Sequence, residues 1–105
     1  MDQLADSRQS RRDKEPEGTV MDKYEIARRA SDLPRRFADR IPRDTLEIIE
    51  LMDGGGEYGE LTIELAASLA AHHTPVTPEE RDELRGLLEA MGMPTDPIQQ
   101  LNVQG

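Results

Sequence analysis

Glu57-Tyr58-Gly59-Glu60-Leu61-Thr62-Ile63-Glu64-Leu65-Ala66-Ala67-Ser68-Leu69-Ala70-Ala71-His72-His73 is the stretch that decides the fold class. Tyr58, Leu61, Leu65 and Leu69 recur at spacings of three, four and four, the period of an amphipathic helix. Ile63, Ala66 and Ala70 widen the apolar arc. Ala66, Ala67, Ala70 and Ala71 let a neighbouring helix approach closely. Glu57, Glu60 and Glu64 fall together on the helix, and the reading places them opposite the apolar stripe, facing water.

Just upstream, Gly54-Gly55-Gly56 ends a helix that starts near Pro42 and runs to Asp53. Ile48, Ile49, Leu51 and Met52 are expected on one side of it, and Glu47, Glu50 and Asp53 on the other. The loop is short, so the two helices should return antiparallel as a hairpin. Downstream, Thr77-Pro78-Glu79-Glu80 is a capping box with proline at the first helical position. It opens a helix with Leu84, Leu87, Leu88 and Met91 as its buried stripe, stopped by Gly92 and Pro94. Beyond it, Ile98, Leu101 and Val103 either dock a last turn on the bundle or fray.

Toward the N-terminus, Ile26, Ala30, Leu33, Phe37 and Ile41 again share a helical face. Pro34 interrupts it, so Asp32 is expected to cap a second short helix, giving a broken or kinked pair. The spacing thus predicts helices near 23–31, 33–40, 42–53, 57–73 and 78–91. Their shared core is expected at Phe37, Ile49, Leu65, Leu69, Leu84 and Leu88. No segment alternates apolar and polar residues as a strand does. The expected fold is all-α, a small bundle of three to five short helices. Residues 1–20 are polar and read as a disordered N-terminal tail; residues 21–105 read as one helical domain. Met21 opens the patterned region and is a candidate native start.

The chain has 105 residues, too few for a second domain. It has no Cys and no Trp, which excludes a disulfide scaffold, a cysteine-ligated zinc site and a thiol nucleophile. Its apolar runs are too short for a membrane helix and its N-terminus too polar for a secretory signal, so a soluble, cytoplasmic protein is expected. The net charge of −9 is unevenly spread. Residues 21–43 carry seven bases and four acids, whereas residues 44–74 carry seven acids and no base. Such a field repels nucleic acid and steers basic partners inward.

Residues suited to catalysis are sparse. No serine sits in a Gly-x-Ser-x-Gly turn. His72 and His73 are adjacent, so on a helix they point about 100° apart and do not share a metal from one face. They read as polar residues near a helix C-terminus. No Glu-x-x-His pair occurs, which argues against a di-metal bundle site. Gly54-Gly55-Gly56 lacks the Lys-Ser/Thr of a phosphate loop. Arg28, Arg29, Arg35, Arg36, Arg40 and Arg43 lack interleaved aromatics, and are expected to pair within the molecule rather than bind nucleic acid. The expectation is a protein without enzyme activity, cofactor or metal.

Gly56-Glu57-Tyr58-Gly59, Glu64-Leu65, Leu69, Pro75-Val76-Thr77-Pro78-Glu79-Glu80 and Met91-Gly92-Met93 together resemble the MafI-like immunity proteins of bacterial polymorphic toxin systems. The likeness covers about Asp39 to Met93; Glu60-Leu61-Thr62-Ile63 departs from that family's apolar-Ala-apolar-acid pattern. The resemblance implies a small helical protein without catalysis that binds a cognate toxin domain and prevents self-intoxication. Several toxins paired with such proteins are nucleases, including ribonucleases of the EndoU type. A nuclease needs a basic surface, which an acidic helical face can cover. The partner-binding residues expected are therefore Glu47, Glu50, Asp53, Glu57, Tyr58, Glu60 and Glu64, with Tyr24 as a further candidate anchor. Two other classes fit the charge: a helical adaptor or regulatory subunit binding a basic protein, and an acidic DNA mimic.

Overall fold

In the computed structural model, which describes residues 22–104, the alanine- and leucine-rich stretch forms the central helix, Tyr58–Ala71. The expected tail, residues 1–20, lies outside the described residues. In chain order the helices are α1 (Lys23–Arg36), α2 (Arg43–Gly54), α3 (Tyr58–Ala71), α4 (Pro78–Ala90) and a single turn, α5 (Asp96–Gln99). A 3₁₀ turn at Ala38–Arg40 links α1 to α2. The helix α3 packs against α1, α2, α4 and α5. Leu61, Leu65 and Leu69 are fully buried, as the spacing predicts. They meet Leu33 and Phe37 from the first helical segment, Ile49 from α2 and Leu84, Leu87 and Leu88 from α4. Each such side chain contributes about 1.5–3 kcal/mol on removal from water. The fold class is all-α, a small helical bundle.

The expected break at Asp32 is absent. The helix α1 runs through Pro34, which lies buried in its last turn. A proline there forfeits only the bond to the Ala30 carbonyl, and the helix ends before a second turn would feel the lost donor. Asp32 caps nothing; its carboxylate pairs with Arg35. The N-cap is Asp22, which accepts from the Glu25 N–H at 2.8 Å. The direction changes instead at Phe37, whose N–H bonds the Leu33 carbonyl at 2.9 Å before the chain tightens into the 3₁₀ turn.

Helices α2, α3 and α4 end alike. The N–H of Glu57 bonds the Met52 carbonyl, that of Thr74 bonds Leu69, and that of Met93 bonds Leu88. These are the six-to-one bonds of a Schellman ending, with a left-handed residue just before the donor. That residue is Gly56 (φ 72) or Gly92 (φ 69) in two cases and His73 (φ 52) in the third. The expected helix to His73 thus stops at Ala71, because His72 and His73 form the cap. His72 places Nδ1 3.0 Å from the Ser68 carbonyl, within hydrogen-bond reach.

The C-terminal segment docks. Ile98 is buried, and Leu101 and Val103 pack against the core. Pro75–Val76 (β1) pairs in parallel with Asn102–Val103 (β2). Each strand has two residues, too few to show any alternation. The Asn102 amide donates to the His73 carbonyl at 2.9 Å, and the Gln104 N–H donates to Val76 at 2.8 Å. Two pieces of the quoted motifs meet at the other end of α3: a Cβ on Gly59, in its first turn, would lie 3.0 Å from the Met93 sulfur.

Candidate functional site: the acidic hairpin

The hairpin α2–α3 carries Asp44, Glu47, Glu50, Asp53, Glu57, Glu60 and Glu64, and Lys and Arg are absent from 44–74. Every ion pair among the described residues lies elsewhere. Glu25 pairs with Arg28 and Arg29, Asp32 with Arg35, Glu83 with Arg36, Glu80 with Arg40, and Asp82 with Arg81 and Arg85. Of the six arginines expected to pair within the molecule, Arg28, Arg29, Arg35, Arg36 and Arg40 do so, with acids of their own helix or of α4; Arg43, the first residue of α2, makes no ion pair among the described residues.

The strongest of these pairs shows what the hairpin lacks. Arg40 meets Glu80 with two hydrogen bonds of 2.8 and 2.9 Å. Its guanidinium lies 4.5 Å from the Phe37 ring centroid. Glu80 is also the N3 residue of the α4 capping box, which forms as the sequence predicts. The bond from Arg40, then the Thr77 N–H and the charge of Arg40, outweigh burial and hold the Glu80 carboxyl at about 2. The same bond raises the Arg40 pKa. Nearby, Arg28, Arg29, Arg35 and Arg36 line an open cleft of about 700 Å³ with Asp32 and Glu83.

The seven sequence-predicted residues divide by position. Glu47, Glu50, Glu57 and Glu60 are exposed. Asp53 is partly buried and faces α1, where its Oδ1 accepts from the Ser31 hydroxyl at 2.6 Å. At 100° per residue it stands only about 40° from the buried Ile49, too close to the core side to face water. Glu64 is half-buried rather than exposed. The glutamate stripe of α3 lies about 110° from the leucine stripe, on its flank and not opposite it. Tyr58 is half-buried and its carbonyl accepts from the Thr62 hydroxyl at 2.8 Å. Tyr24 is 84% exposed on the first turn of α1.

Leu51 and Ile48 correct the α2 reading. Leu51 is 77% exposed and Ile48 43%, while Ile49 is fully buried. Leu51 lies about 200° round the helix from Ile49, so one core cannot bury both. Asp44 and Glu47 stand one or two turns below Leu51 on this outer face, an arrangement counting identities alone does not reveal. The Glu57 carboxylate folds back against Gly55, 3.6 Å from where a Cβ would stand. No three acidic or histidine side chains among the described residues converge to hold a metal ion. The carboxylates are spread over the hairpin and form a broad acidic surface. No described helix is long and apolar enough to cross a membrane.

Fold and surface together define a small all-α protein with one acidic, unpaired helical face. Comparison with models of known protein families, with curated proteins and with solved structures finds no match for this chain.

Proposed function

We propose that this protein is an immunity protein of the MafI-like kind, which binds and neutralises a cognate bacterial toxin domain, a basic nuclease, in the cytoplasm of the producing cell. It performs no catalysis and needs no cofactor. The observation that carries the reading is the excess charge of the hairpin: seven acids against one base, Arg43 at the start of α2, which makes no ion pair with any of them among the described residues. A cationic phosphate-binding surface is the complement of such a face. Burying the acids against it exchanges water for cations, and the field speeds encounter. The toxin class comes from the sequence resemblance, and the acidic surface supports it.

Co-expression with the C-terminal domain of a toxin gene directly upstream is the test. The two are expected to co-purify, and the protein is expected to restore growth to cells making the toxin domain. With Glu57, Glu60 and Glu64 reversed to lysine, association should slow at least tenfold at low salt, with a flatter salt dependence, because rim charges act mainly through steering. Wild-type kinetics in the triple variant, with protection retained, refute the acidic face as the inhibitory surface. A metabolic or transcriptional operon in place of the toxin gene, with no co-purifying toxin, favours a helical adaptor for a basic partner.

A further inference from the structure

Resting on that reading of the partner as cationic, we infer that Leu51 and Ile48 are the apolar anchor of the binding face, seated in an apolar recess bordered by lysines or arginines. Both side chains project from α2 at i, i+3 spacing and so touch one patch of surface. Leu51 is 77% exposed, so nothing within the described molecule covers it. Lone exposed leucines are ordinary. This pair is different because of what surrounds it. Asp44 and Glu47 lie at i−7 and i−4 from Leu51, and Glu50 precedes it. All three are exposed and none has a cation within 4 Å. The Glu57 carboxylate sits beyond the C-terminal end of the same helix.

A neutral apolar partner would have to strip water from these carboxylates without compensation. A second copy would bring its own acids against them. A cationic rim around an apolar recess satisfies both parts: the leucine and isoleucine leave water while the carboxylates gain counter-charges. The division of labour follows from interface physics. Desolvated central side chains set the dissociation rate, and the charged ring sets the association rate and excludes water.

The test uses two fluorescent helical peptides of equal charge. One carries a leucine stripe flanked by lysines; the other has the leucines replaced by serine. Wild-type protein is expected to bind the leucine peptide at least tenfold more tightly than the serine peptide. In I48S/L51S that preference should vanish, while I48V/L51M retains it. Circular dichroism confirms that each variant folds. Amide resonances of residues 44–55 should shift on binding the leucine peptide. Equal wild-type affinity for both peptides, no affinity for either, or a preference unchanged in I48S/L51S overturns the anchor. Shifts centred on α3 and α5 rather than on residues 44–55 overturn it too, as does a wild-type dimer that I48S/L51S dissolves. With a co-purifying toxin domain, I48S/L51S should raise the dissociation rate at least tenfold; an unchanged rate discards the anchor and leaves the immunity reading standing. Failure of any toxin to co-purify, with the peptide preference intact, discards the immunity reading and leaves the anchor.

Discussion

The half of the molecule built by α1 and α4 and the half built by α2 and α3 use charge in opposite ways. In the first, arginines and carboxylates are interleaved and matched, and Arg40 ties the 3₁₀ turn to the start of α4 through Glu80. In the second, seven carboxylates stand with a single base, Arg43 at the start of α2, and none of them has a cation within ion-pair distance among the described residues. Both halves close over the same leucines of α3. Charge in the first half therefore acts on folding. In the second it leaves folding to the core and shapes the field that a partner meets. Acidity spread evenly over the molecule would carry no such distinction.

The largest expected effect tests what the two halves share. Leu65→Ala should cost about 2–5 kcal/mol, the range for an unrelaxed cavity in a packed core. Denaturant unfolding checks this, and a loss below about 0.5 kcal/mol would show that α3 is not the common support.

The Arg40–Glu80 pair breaks or sharpens the claim for the first half. Glu80→Gln keeps the capping geometry but removes the charge. It should cost about 1–2 kcal/mol at neutral pH, the range for a partly solvated, charge-assisted bond. Because the folded carboxyl titrates at about 2 and its ordinary value is 4.5, ionisation favours the native state. The contribution is complete above pH 4.5 and fades as pH falls toward 2. Melting across that window should show a fall in wild-type stability that is smaller in E80Q. Parallel curves would place the acid sensitivity elsewhere.

The smallest effect tests the second half. Reversing Glu57, Glu60 and Glu64 to lysine should change stability by less than about 0.5 kcal/mol per site, since no ion pair is broken. Reversing Arg40 to glutamate should cost more than all three together. Equal losses would erase the contrast between the halves.

Much of the bundle was legible because its signals are local. The capping box at Thr77, the glycine ending of α2 and the leucine spacing of α3 each act within a few residues. All six expected core side chains are fully buried or nearly so. Pro34 misled because proline's cost depends on distance from the helix end, and that end is set by how Phe37 enters the core. The acids on the hairpin were equally visible, yet Asp53 and Glu64 turn partly inward. Which flank of an amphipathic helix is covered depends on the neighbour's width, not on the helix's own period.

By itself, the sequence determined the all-α class, the glycine endings of α2 and α4, the capping box of α4, the leucine core and the segregation of charge along the chain, since each follows from short-range periodicity, capping chemistry or composition. Only the tertiary structure decided which arginine meets which carboxylate, that Asn102 and Val103 return beside Pro75 and Val76, and that Leu51 is left in water while Ile49 is not. Those outcomes join residues that are distant in sequence, or rank two apolar faces of one helix. The packing of α1 and α3 against α2 settles the last of them, by covering the Ile49 face and leaving the Leu51 face open.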